Sequence, residues 1–79
     1  MFDELDSVAL RHDLPAHGLR VDDVGVIVLV HGEKEAFEVE FVARSGRTVA
    51  LLTLDRTDVR AVGETEEVVS RALTQADAA

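Results

Sequence analysis

The stretch LPAHGLRVDDVGVIVLVHG, residues 14–32, holds the chain's only proline, two of its three histidines and two adjacent aspartates, then seven residues with no polar side chain. Pro15 and Gly18 break regular structure, so residues 11–20 read as an irregular loop. VGVIVLV (24–30) is continuous and β-branched, which reads as a strand with both faces covered. A breaker loop, a sharp acidic turn and a Val-rich strand describe the lead-in to a small β-structure better than an active-site loop.

On either side the pattern stays β. SVAL (7–10) reads as a short first strand and HGEKE (31–35) as a turn around Gly32. AFEVEFV (36–42) alternates, with Phe37, Val39 and Phe41 on one face and Glu38 and Glu40 on the other, the period of a half-buried antiparallel strand. RSGR (44–47) is a hairpin turn around Gly46, TVALLTL (48–54) a further strand, DRTD (55–58) one helical turn capped by Asp55, and VRAV (59–62) a last short strand. Short strands with tight turns predict a mainly β fold, a bent sheet of about five antiparallel strands closed into a barrel. Closure also hides the edges of 24–30 and 48–54, both aggregation-prone if left flat and open. Residues 1–62 form this domain. Residues 63–79 change character: Thr65 caps a short amphipathic helix, Glu66 and Glu67 suit its first turn, and Val68, Val69, Ala72 and Leu73 share one face. That stripe is a candidate interface. It covers the chain's own outer sheet face at Val26 and Leu29, joins two copies in a homodimer, or docks on a foreign partner.

At 79 residues the chain buries only about 60–65% of its unfolded surface, so its core is small. With no cysteine it has no disulfide or thiolate metal site, which fits a reducing, cytoplasmic location. The acidic start MFDELDSVAL lacks the features of a secretory signal, and no apolar run approaches the roughly 20 residues of a membrane span. Sixteen acidic residues against eight basic ones leave a net charge of −8. Such a chain repels nucleic acid and anionic membranes and attracts a basic partner. Three Phe, with no Trp or Tyr, supply base-stacking poorly.

The motifs that carry chemistry are sparse. His12, Asp13 and His17, or Asp22, Asp23 and His31, are the sets from which a metal site would be drawn, but their spacing matches no structural zinc pattern. Ser7 and Ser45 sit in no nucleophile motif, and paired Glu38 and Glu40 read as the wet face of a sheet. No catalytic residue, cofactor or metal is assigned. Arg44, Arg47, Arg56 and Arg60 form the one basic cluster if a barrel brings the two turns together.

DDVGVIV (22–28) resembles the turn and strand that open SH3-like barrels, including ribosome-associated KOW modules. The run LDSVAL, LPAHGLRVDDVGVIV, EAFEVEFV and RTVALLTLDRTDVRAV resembles the bacterial family catalogued as domain of unknown function 4926 over residues 1–62. That resemblance implies a small SH3-like barrel. Asp22 stands where the family more often has Gly, and Val26 and Leu29 where polar residues are common. The family's genes often neighbour those of another small family, an arrangement like that of a toxin–antitoxin pair. The expected role is a non-enzymatic protein-binding module, antitoxin-like in its sharpest form, meeting a basic partner encoded nearby. Its expected surface is Asp22, Asp23, Glu33, Glu35, Glu38 and Glu40. The alternative is a KOW-like nucleic-acid-associated module using the four arginines.

Overall fold

The computed structural model describes residues 2–32 and 36–63. Five strands, β1 (Ser7–Leu10), β2 (Val24–His31), β3 (Ala36–Val42), β4 (Thr48–Asp55) and β5 (Val59–Ala61), form one antiparallel sheet in the order β4-β3-β2-β1-β5. Each begins where a β-branched or alternating run begins and ends within a residue of it. In the loop after β1, Pro15 opens a single 3-10 turn (Pro15–His17), Gly18 ends it at φ 69°, and Leu14 and Leu19 pair across it. Proline's fixed φ suits that first position and glycine the left-handed one.

The sheet does not close into the expected barrel. β5 returns to β1, with Val8 opposite Ala61 and Leu10 opposite Val59, and among the described residues no ladder joins β4 to β5. The turn between them explains this. Asp58 N–H donates to the Asp55 carbonyl, Asp55 N–H to the Asp58 carboxylate, and Arg11 N–H to the Asp58 carbonyl, so the chain is turned toward β1. Arg11 Nε then donates to the Val59 carbonyl at 2.8 Å. A three-residue strand so held has no length left to run along β4. DRTD is a hydrogen-bonded turn rather than a turn of helix, although Asp55 does cap it by accepting from Thr57 N–H and Oγ1.

One core serves all five strands: Val8, Leu10, Ile27, Phe37, Val39, Phe41, Leu54 and Val59, with Leu19 from the loop. Phe2 caps its end, its ring edge-on to Phe37 at 5.4 Å between centroids. With no second layer among the described residues, the sheet must curl so that one face covers itself. Among the described residues the other face is open over β2, β3 and β4, where Leu29, Val42 and Leu51 are exposed. This departs from the expectation that 24–30 is covered on both sides. The β2–β3 register shifts between Ile27 and Leu29, a bulge at Val28. Beyond it Val30 packs on the core while Val28 and Leu29 face outward, 40% and 45% exposed. The stretch 63–79, with the stripe of Val68, Val69, Ala72 and Leu73, lies outside the described residues apart from Gly63, as do Glu33 and Glu35.

Candidate protein-binding face

Among the described residues the outer side of β2, β3 and β4 is left open, and the ladder dictates its layout. Val26 lies opposite Glu40, which lies opposite Leu51; Leu29 lies opposite Glu38, which lies opposite Thr53. Side chains directly opposite share a face. Two carboxylates on the middle strand are therefore framed by aliphatic side chains, with Leu51 55% exposed and Val42, at the end of β3, also exposed.

Neither carboxylate is loose. Thr53 Oγ1 donates to Glu38 Oε2 at 2.7 Å, and His31 Nε2 donates to the same oxygen at 2.7 Å. Thr48 Oγ1 donates to Glu40 Oε2 at 2.7 Å. The Thr53 hydroxyl, and after it His31, hold the Glu38 carboxyl below its ordinary pKa, because both bonds favour the charged form. A carboxylate offers about four lone-pair sites, so each glutamate keeps acceptor capacity for a cation from outside. The sequence points to His31 only as a candidate metal ligand, and to Thr48, Thr53 and Leu51 not at all. Their roles follow from cross-strand register, which residue types alone do not carry.

Asp22 and Asp23 part company. Asp22 adopts φ 71°, the left-handed conformation for which Gly is the easier residue, and its exposed carboxylate meets Arg60 at 3.3 Å. Asp23 is only 5% exposed. Its carboxylate accepts the Arg20 N–H at 2.8 Å, while its backbone bonds Leu10 and Arg20. Asp23 is thus committed to the turn that sets β2 against β1, and the accessible acidic face is built without it.

The basic cluster does not form. Arg44 and Arg47 lie at the start of β4 and Arg56 just past its end, and eight residues of antiparallel strand put roughly 24 Å between the two turns. Arg60 sits on β5, at the opposite end of the strand order from β4, and pairs with Asp22. Among the described residues no three of His, Asp or Glu converge on a point that a metal could occupy. His12 bonds Asp58 and the Asp13 carbonyl instead, and His31 bonds Glu38. No helix among the described residues is long and apolar enough to cross a membrane.

Residues 4–61 match the sequence profile of the family described as Domain of unknown function (DUF4926). The chain belongs to that family. The matched span takes in all five strands and the whole outer face, and stops short of the tail. Neither the curated proteins nor the solved structures include one detectably similar to the chain.

Proposed function

We propose that this DUF4926 domain is a non-enzymatic protein-binding module whose outer β2–β3–β4 face docks a basic partner protein in the cytoplasm. One observation supports this above the rest: Glu38 and Glu40 are held in place by Thr53, His31 and Thr48 in the middle of exposed aliphatic side chains. Charges already fixed by their own neighbours lose little side-chain freedom on binding, and the aliphatic rim supplies desolvation around them. The net charge of −8 steers a basic protein toward the face and speeds the encounter. Antitoxin- or immunity-type neutralisation, in which a small acidic protein covers the site of a basic enzyme, is the sharpest form of this reading. The KOW-like alternative loses its support with the scattering of Arg44, Arg47, Arg56 and Arg60.

The test is capture from source-cell extract by the tagged full-length chain and by a Glu38→Lys/Glu40→Lys variant, at low and moderate salt, with mass spectrometry of the retained proteins. One stoichiometric protein is expected on the wild type, released by salt. Its association with the variant should be about tenfold slower or worse, with a flatter salt dependence. Equal capture by both would remove this face from the mechanism, and retention of RNA with ribosomal proteins would favour the nucleic-acid reading.

A further inference from the structure

The open sheet leaves β4 as an edge, and its backbone direction follows from bonds elsewhere. Ile27 N–H donates to the Asp6 carbonyl and its carbonyl accepts from Leu5 N–H, so Ile27 faces the β1 side. Strands alternate, so Val26 faces β3, Glu40 and Glu38 face β2, and Phe37, Val39 and Phe41 face β4. Leu54, Leu52 and Ala50 then bond inward to β3, while Leu51, Thr53 and Asp55 turn their backbone groups to the open side. Asp55 confirms this at the far end, since its N–H goes to the Asp58 carboxylate.

Edge strands are normally blunted by proline, lysine, short length or a bulge. β4 has a bulge at its start, where the register with β3 shifts between Phe41 and Val42, and a charge at its end in Asp55. Between these, Ala50 to Leu54 (ALLTL) is regular, uncharged and free of Pro and Gly. On the core side of this segment Ala50 and Leu52 are only half-buried, because among the described residues no strand continues the sheet past them.

We propose that this edge pairs with the same edge of a second copy, antiparallel about a two-fold axis at Leu52, giving one ten-stranded sheet. That register sets Leu51 against Thr53 of the second copy and Ala50 against its Leu54. It keeps every inward side chain facing inward, as pairing requires. It uses only the regular segment and leaves both bulges and both Asp55 residues outside the centre. The occupant is a second copy because the segment is self-complementary under that rotation and carries no charge for a basic partner to read. The half-buried Ala50 and Leu52 of each copy become covered by the other. Glu38 and Glu40 sit a strand back on each side, so the pairing leaves the proposed docking face free and doubles it.

The full-length chain should sediment as a dimer that dissociates on dilution. Added salt should tighten it, because two chains of −8 repel, whereas salt loosens the docking of a basic protein. Leu51→Thr, which keeps the backbone donor and suits a strand, should remain dimeric. Leu51→Pro removes a donor that makes no bond among the described residues of one copy, so it should keep the β-sheet circular dichroism and sediment at half the mass. Hydrogen exchange on the wild type gives an answer even if Leu51→Pro fails to fold: the Leu51 and Thr53 amides should become protected as concentration rises. A wild type monomeric throughout, a folded Leu51→Pro that still dimerises, or a dimer with protection elsewhere would each overturn the pairing. None of these results bears on capture by the Glu38 and Glu40 face.

Discussion

Replacing Gly25 with Ala tests how tightly β2 is pressed against β3. Gly25 faces the core opposite Val8, and its φ is not in the left-handed range, so backbone strain plays no part. A Cβ there would lie 2.7 Å from Val39 Cγ1, 2.9 Å from Phe41 Cε1 and 3.0 Å from the Glu40 carbonyl oxygen. Val39 and Phe41 are fully buried and the third neighbour is backbone, so nothing swings aside freely. The methyl reduces unfolded-state freedom, worth about 0.5–1 kcal/mol in favour of folding. Overpacking a filled core costs about 1–3 kcal/mol. The net effect should be a loss of about 1–2 kcal/mol, or a Tm lowered by about 5–15 °C at this chain length. Thermal melts followed by circular dichroism read this directly. The cost should shrink in a Val39→Ala background, where the nearest contact is gone, and that coupling separates sterics from a general weakening. A Gly25→Ala protein melting at or above the wild type would refute the reasoning.

Asp23→Ala should cost about 1–2 kcal/mol, since it strips a buried acceptor from the Arg20 N–H, and urea titration measures it. A loss near zero would return Asp23 to the surface account. His12 donates from both ring nitrogens, to Asp58 at 2.8 Å and to the Asp13 carbonyl at 3.1 Å, which requires the imidazolium; the Asp58 bond first, and the Asp13 bond after it, raises its pKa. Its contribution is thus full below about pH 6.5 and is lost as pH rises through the higher native value. A His12→Gln variant should therefore trail the wild type in Tm at acidic pH and match it at mildly alkaline pH, and a gap that widens with pH would contradict the assignment.

The strands were readable because β-branched runs and punctuation by Gly, Pro and Asp agree along most of the chain. β3 shows its two faces outright, since Phe37, Val39 and Phe41 alternate with Glu38 and Glu40. β2 hides its own, because a bulge changes which side chains face inward and every neighbour of Val28 is apolar, so no polar residue marks the phase change. Barrel closure was the natural expectation from two aggregation-prone strands, yet a four-residue turn and a three-residue strand decided the topology by hydrogen bonds to Arg11. Asp22 and Asp23 look alike in sequence, but only the backbone shows that one is exposed and left-handed while the other is buried. The four arginines needed a closed barrel to meet. The glutamate pair was legible, and its tethering by Thr48, Thr53 and His31 was not, since that depends on register.

The return of β5 to β1 also imposes a schedule on synthesis. β2, β3 and β4 form a meander of neighbours in sequence, the kind of local pairing that assembles quickly. Of the five described strands β1 is made first, yet the partner for its second edge is made last. Until β5 is made Val8, Ala9 and Leu10 therefore have one open flank, and the earliest of the five strands is the last to be sealed.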